Sequence, residues 1–174
     1  PSAGNDKILG GAGIDTLSGG DDNDHLYGYA GADTLNGNAG DDLIYGGKDD
    51  DTIDGDAGDD SLYGEAGDDT ITSGAGDDTL DGGLGDDIFN INGSGNKTVN
   101  ASTGNDSLNI NYANISNYPD ISYSGNDDPG GTFTFTNNDG SIINASNIET
   151  LTIDSVPWLI VYGNDSAGNA IGAG

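Results

Sequence analysis

An aspartate recurs at every ninth position through the first half of the chain, without one slip in register. An apolar side chain stands two residues after each of them, from Ile8 to Phe89. The ten aspartates are Asp6, Asp15, Asp24, Asp33, Asp42, Asp51, Asp60, Asp69, Asp78 and Asp87. Carboxylates repeated at this spacing suit a hard cation such as Ca²⁺, which accepts six to eight oxygen ligands.

Glycine recurs in the same register when the apolar residue is counted as position eight of each unit. Position one holds Gly10, Gly19, Gly28, Gly37, Gly46, Gly55, Gly64 and Gly82, with Ser73 as the exception. Position four holds Gly4, Gly13, Gly31, Gly40, Gly58, Gly67, Gly76 and Gly85, with Asp22 and Asp49 as the exceptions. Because glycine takes positive φ at no steric cost, we expect loops built on backbone conformations that other residues resist. Three extended residues follow each loop, and the middle one faces inward.

The resulting pattern, G-G-x-G-x-D-x-U-x over residues 1–89, resembles the calcium-binding nonapeptide of the RTX (repeats-in-toxin) family. The resemblance implies an all-β fold, a right-handed parallel β-roll whose strands fall alternately in two facing sheets. One coil then takes eighteen residues, and loops eighteen residues apart stack in two columns. One column holds Asp6, Asp24, Asp42, Asp60 and Asp78, and the other holds Asp15, Asp33, Asp51, Asp69 and Asp87.

The resemblance also implies a ligand set. In the family each calcium lies between two stacked loops and takes one aspartate and backbone carbonyls from each. The position-one and position-four glycines named above, together with Ser73, are therefore candidate carbonyl ligands. The position-three candidates are Ala12, Asp21, Ala30, Ala39, Lys48, Ala57, Ala66, Ala75 and Leu84. Five loops leave four gaps per column, so the resemblance implies about eight Ca²⁺, with Asp106 as the candidate for a ninth.

The charge balance links metal binding to folding. Thirty-one acidic residues against three basic ones give a net charge of −28, which argues against nucleic acid as a partner. Ordering the backbone costs about 1–2 kcal/mol per residue. The two inward side chains of a coil return only about 1.5–3 kcal/mol each. Strong self-repulsion with few apolar residues is typical of disorder, so we expect folding to depend on calcium.

The register loosens after Phe89. A segment similar to the one that begins at Asp87 begins again at Asp106, nineteen residues later. Between them, Lys97 occupies the position at which the repeat has aspartate. We interpret residues 90–111 as one more coil with a one-residue insertion and a lost calcium ligand. Alternating residues in 132–136, 141–143 and 147–153 predict strands, the first two joined by a hairpin turn. We therefore expect a β-roll over 1–111 and a β-rich capping region and tail over 112–174.

Other chemistries find little support. The chain has no cysteine, which excludes disulfides and thiolate zinc sites, and His25 is its single histidine, so no nucleophilic triad is expected. A nine-residue repeat cannot hold the helices of an EF-hand. The longest apolar run is far too short to span a membrane. We therefore expect no enzymatic activity and no membrane span.

The sequence favours a calcium-dependent folding and scaffold module of a bacterial protein exported by a type I system, with a secreted or cell-surface location. The alternatives are a binding module of a large adhesin or surface-layer protein, and an accessory module of a secreted hydrolase or carbohydrate-modifying enzyme. The expected partners are neighbouring domains of a longer chain, and a glycan or cell surface. Two outward rows are candidate contact surfaces. The tyrosine row, for a neighbouring domain or a glycan, is Tyr27, Tyr45 and Tyr63, and the threonine row, for ice, is Thr16, Thr34, Thr52 and Thr70.

Overall fold

The computed structural model describes residues 4–110, 120–124, 132–136, 142–148, 150–153 and 156–159, which include seventeen strands. The first nine are β1 (Lys7–Ala12), β2 (Thr16–Asp21), β3 (His25–Ala30), β4 (Thr34–Ala39), β5 (Leu43–Lys48), β6 (Thr52–Ala57), β7 (Ser61–Ala66), β8 (Thr70–Thr72) and β9 (Asp78–Leu84). The others are β10 (Ile88–Ile91), β11 (Lys97–Asn100), β12 (Ser107–Ile110), β13 (Asp120–Ser124), β14 (Thr132–Thr136), β15 (Ile142–Ser146), β16 (Thr150–Ile153) and β17 (Val156–Leu159). None of the described residues forms a helix long and apolar enough to cross a lipid bilayer.

The strands up to β12 alternate between two sheets. The odd-numbered strands from β1 to β11 lie side by side in one sheet, and the even-numbered strands from β2 to β12 lie in the other. Each strand pairs in parallel with the strand two further along the chain, as Leu26 pairs with Ile44 at an offset of 18. The predicted parallel β-roll is confirmed.

The core is a double row of single side chains between the sheets. Each strand turns the apolar residue at position eight inward. The glycine two residues later, at position one of the next repeat, packs beside it. The fully buried members along the array are Leu26, Leu35, Ile44, Ile53, Leu62, Ile71, Leu80 and Phe89. This core is thin because one coil supplies only two such residues, so the loops must contribute much of the stability.

The predicted insertion after Phe89 is confirmed by the strand register. Ile88 pairs with Ser107 and Asp78 pairs with Lys97, both at an offset of 19 instead of 18. The extra residue lies in the loops, so the ladders continue without a break. The coil of β11 and β12 therefore stacks on the array in the same manner as the coils before it.

The parallel ladders extend beyond residue 111. β15 pairs in parallel with β11, and β16 pairs in parallel with β12. Ile143, Ala145 and Leu151 are buried in the same core cluster as the array residues. The predicted hairpin is confirmed, because β14 and β15 pair antiparallel. β13 and β17 add antiparallel strands at the ends of the two sheets. The division of the chain at residue 111 stays a prediction.

Candidate metal centre

The repeated aspartates lie at the point where each loop enters a strand. Their side chains turn into the stack of loops, where the two carboxylate oxygens have different surroundings. Oδ1 accepts a hydrogen bond from the backbone N–H of the aspartate one coil earlier: Asp24 from Asp6 at 2.7 Å, and Asp60 from Asp42 at 2.8 Å. One oxygen of each carboxylate therefore ties two neighbouring loops together.

The second oxygen, Oδ2, faces the gap toward the following loop. The aspartates concerned are no more than 2% exposed, so solvent cannot satisfy this atom. Oδ2 has no hydrogen-bond partner within the described part of the chain in Asp24, Asp33, Asp42, Asp51, Asp60, Asp69 and Asp87. A buried carboxylate oxygen without a partner costs several kcal/mol, which a bound cation would offset. Asp6 and Asp15, at the first coil, are only half-buried.

The position-one glycines leave room in the same gaps. A Cβ added to Gly19 would lie 2.5 Å from Asp24 Oδ2 and 2.7 Å from the carbonyl O of Gly37. At Gly55 the corresponding distances are 2.5 Å to Asp60 Oδ2 and 2.8 Å to the carbonyl O of Ser73. A carboxylate oxygen and a carbonyl oxygen thus converge on one small space in each gap. This donor set fits the oxygen-only coordination of Ca²⁺.

The expected backbone role of the glycines is confirmed at position four and wrong at position one. Positive φ angles occur at positions two and four, and they occur even where Tyr29, Glu65 and Asp49 replace glycine. The position-one glycines do not have positive φ. Glycine at position one instead keeps open the gap between the stacked loops, which a side chain would fill.

The position-three carbonyls also line the gaps. The carbonyl of Ala57 accepts the N–H of Gly40, and the carbonyl of Ala75 accepts the N–H of Gly58, both at 2.8 Å. A carbonyl oxygen has a second lone pair, so each can still bind a cation. Among the described residues, no group of three or more acidic, histidine or cysteine side chains comes together. An ion between two loops would therefore take most of its ligands from the backbone.

Burial strongly disfavours the charged form of the central carboxylates when no metal is bound. It raises the pKa of Asp51 to about 7 and that of Asp60 to about 8, although the N–H of a neighbouring aspartate partly offsets the rise. Burial likewise raises the pKa of Asp69 to about 6 and that of Asp87 to about 7. Neighbouring aspartates in the stack raise them further. A bound cation would therefore favour the ionised form of these carboxylates in the folded chain.

Comparison with family models identifies the repeat. The model of the RTX calcium-binding nonapeptide repeat matches residues 2–35, 27–62 and 54–89, which together span half of the chain. The chain belongs to the RTX calcium-binding repeat family. The RTX repeat is a calcium-binding structural unit, and the buried aspartates of this chain fit that role.

Two further comparisons were made for this RTX chain. A search of curated proteins found no significant match. Among solved structures, the chain is similar to the extracellular lipase LipA from Serratia marcescens, with 18% sequence identity and a TM-score of 0.30. The alignment covers 83% of this chain and 38% of the lipase, so the chain spans well under half of that protein's length.

The exposed side of the RTX loops carries a second row of aspartate hydrogen bonds, which the sequence did not reveal. The aspartates at position five are exposed, and their Oδ1 atoms accept N–H groups from the loop one coil later. Asp41 accepts from Asp59 at 3.0 Å, and Asp59 accepts from Asp77 at 2.8 Å. This direction is opposite to that of the inner aspartates. From Asp41 onward, paired Asp-Asp sequences therefore connect an RTX loop by hydrogen bonds to the loops before and after it.

The remaining predicted residues of the RTX array lie as follows. Asp106 is buried, and its Oδ1 accepts the N–H of Asp87 at 2.8 Å, as in the regular loops. His25 is exposed. The tyrosine rings stack, with centroids 5.3 Å apart for Tyr27 and Tyr45 and 4.8 Å apart for Tyr45 and Tyr63. The predicted contacts of this row with a glycan, and of the threonine row with ice, stay predictions.

Proposed function

We propose that this chain is a calcium-dependent folding and scaffold module of a secreted bacterial protein that leaves the cell by type I export. Calcium binding follows from membership of the RTX family. The observation that carries the proposal is the row of buried Oδ2 atoms without hydrogen-bond partners among the described residues. Without a cation these carboxylates oppose folding, and with one they hold adjacent coils together.

The proposed ions lie in the gaps between loops eighteen residues apart. Each gap combines two aspartates with backbone carbonyls from loop positions one, three and four. The regular array provides about eight such gaps, and Asp106 extends the second column by one more. These ions act structurally, since they neutralise carboxylates and join coils, and we assign no catalytic role to the chain.

The proposed role suits a protein that must cross a membrane unfolded. A chain with a net charge of −28 and a thin core resists collapse where calcium is scarce. Millimolar extracellular calcium then drives folding after export. A binding module of an adhesin or surface layer and an accessory module of a secreted hydrolase are the alternatives, and a longer parent sequence would distinguish them.

Far-UV circular dichroism tests the calcium dependence. We expect a disordered spectrum in chelator and a β-sheet spectrum after addition of Ca²⁺. Mg²⁺ should fail to substitute, because it requires a tighter shell of six ligands. A β-sheet spectrum of full intensity in chelator would contradict the proposal.

A further inference from the structure

The last gap of the first column differs from the others. It lies between loops 73–78 and 92–97, and the residue at the ligand position of the second loop is Lys97. The side chain of Lys97 is fully buried, whereas Lys7 and Lys48 are exposed. A buried lysine normally requires charge compensation, so its surroundings are informative.

The Lys97 ammonium is surrounded by oxygen atoms. Its Nζ lies 2.8 Å from Oδ2 of Asp78 in an ion pair. It also donates hydrogen bonds to the carbonyl oxygens of Gly76, at 2.5 Å, and Ser94, at 2.9 Å. These residues occupy loop positions six, four and three, the positions proposed to supply calcium ligands elsewhere. An ammonium has three donors, and the three oxygens accommodate them.

The loops around this gap stack in the regular manner. The carbonyl of Ser94 accepts the N–H of Gly76 at 2.9 Å in addition to the lysine. One coil earlier the carbonyl of Ala75 accepts the N–H of Gly58 at 2.8 Å. The backbone hydrogen bonds are therefore the same in the two gaps. At the second gap the Ser94 carbonyl accepts from both the N–H of Gly76 and the ammonium of Lys97.

Ser73 provides a second, independent observation. It is the one departure from glycine at position one between Gly10 and Gly82, and it belongs to the loop that faces Lys97. Ser73 is fully buried, and its Oγ donates to the carbonyl O of Asn92 at 3.4 Å. At Gly55, the equivalent residue one coil earlier, an added Cβ would intrude between the carboxylate and carbonyl oxygens. Ser73 therefore fills space that a metal ion needs.

We propose that Lys97 and Ser73 together form a metal-free gap in which the lysine ammonium takes the place of a calcium ion. This inference rests on calcium binding in the regular gaps. The backbone of Lys97 pairs with Asp78 on one side and with Ile143 on the other. The gap therefore joins the loops that precede β9 and β11 through a cation that the chain itself carries, independently of the calcium concentration. β15 then continues the sheet beside β11.

Counting bound ions by native mass spectrometry tests the proposal. The double substitution S73G/K97D restores the repeat residues at both positions, so this variant should bind one more Ca²⁺ than the wild type. K7D makes the same charge change at an exposed lysine outside the proposed ligand positions and should bind the wild-type number. A folded S73G/K97D chain with the wild-type number of ions would overturn the proposal.

Chemical labelling of the wild-type chain gives a second test that does not depend on a variant folding. In saturating Ca²⁺, an amine-acetylating reagent should modify Lys7 and Lys48 rapidly and Lys97 at least about tenfold more slowly. Acetylation of Lys97 at the rate of Lys48 in the calcium-loaded, folded chain would overturn this inference alone. A wild-type chain that neither binds Ca²⁺ nor folds with it would instead refute the proposed function.

Discussion

Each repeated aspartate divides its two oxygens between two tasks. Oδ1 accepts a backbone N–H from the previous coil, and Oδ2 faces the gap toward the next coil, as in Asp51 and Asp60. A short side chain suits both tasks, because it reaches the gap while staying close to its own loop. The chain accordingly contains only two glutamates, Glu65 and Glu149.

Asp51→Ala should destabilise the calcium-loaded chain far more than Asp50→Ala. Asp51 is buried and has a stacked loop on each side, whereas Asp50 is exposed and accepts one N–H, from Asp68. We expect losses of about 3 kcal/mol or more for Asp51→Ala and about 1 kcal/mol for Asp50→Ala. Denaturant unfolding at saturating Ca²⁺ measures both. Equal losses would argue against a metal ligand at Asp51.

Lowering the pH should partly stabilise the folded chain when calcium is absent. The pKa of Asp51 is about 7 and that of Asp60 about 8 in the folded, metal-free chain, against an ordinary value of 3.8. The folded form therefore binds more protons than the unfolded form between about pH 4 and pH 8. The stability that these two carboxylates contribute is fully present below about pH 4 and is lost as the pH rises through about 7 to 8.

Circular dichroism in chelator, from pH 8 down to pH 5, measures this effect. We expect the β-sheet signal to grow as the pH falls, with sedimentation velocity as the control for aggregation near the isoelectric point of about 4.1. A signal that grew with rising pH would contradict the assigned burial of the carboxylates.

At the scale of the elements, loop and strand depend on each other. The strands set the distance between loops eighteen residues apart, and the loops supply the hydrogen bonds and the proposed cation sites that join the coils. The position-one glycine is the last inward-facing residue of the strand, and it also borders the gap between two stacked loops. Its replacement therefore tests the geometry of the stack.

Gly55→Ala should destabilise the roll, whereas Ser73→Ala should be close to neutral. Gly55 does not have positive φ, so an account based only on backbone entropy predicts a gain of about 0.4–1 kcal/mol from alanine. The structure predicts the opposite, since the new Cβ would lie 2.5 Å from Asp60 Oδ2. Thermal unfolding at fixed Ca²⁺ and ion counting should both show the difference. A stabilised Gly55→Ala chain would refute the proposed steric role.

At the scale of the whole molecule, the protein is a stack in which each coil contacts its neighbours. Stability in such a solenoid is a sum of coil and interface contributions, so an uncovered last coil weakens the whole. Here β15 and β16 cover β11 and β12, and Ile143 and Leu151 are buried there. The strands after residue 111 thus extend the core that the array begins.

A fragment of residues 1–111 should therefore require more Ca²⁺ to fold than the full chain, or should aggregate. Removal of β15 and β16 would expose the edges of β11 and β12 and the side chains of Val99 and Leu108, which are now buried. Circular dichroism during calcium titration of the fragment and of residues 1–163 measures the difference. In the longer chain, emission from Trp158, the single tryptophan, should change together with the β-sheet signal. Separate calcium midpoints for the two signals would indicate independent domains.

The repeat and the family resemblance it carries determined most of the array. The nine-residue period fixed where the loops and the inward residues fall, and the resemblance to the RTX nonapeptide implied the alternating sheets and the eighteen-residue coil that place Asp24 next to Asp42. The nineteen-residue step from Asp87 to Asp106 likewise revealed the insertion. These features were predictable because they depend on local spacing, and the parallel register simply repeats that spacing.

Tertiary structure alone decided the features that depend on contacts between distant parts of the chain. The pairing of Lys97 with Ile143 joins residues 46 positions apart, which no repeat encodes. Lys97 looked like a lost ligand in the sequence, yet its ammonium lies among the oxygens of Asp78, Gly76 and Ser94. Residue spacing predicts which loops meet, but the space left between them depends on how the side chains pack.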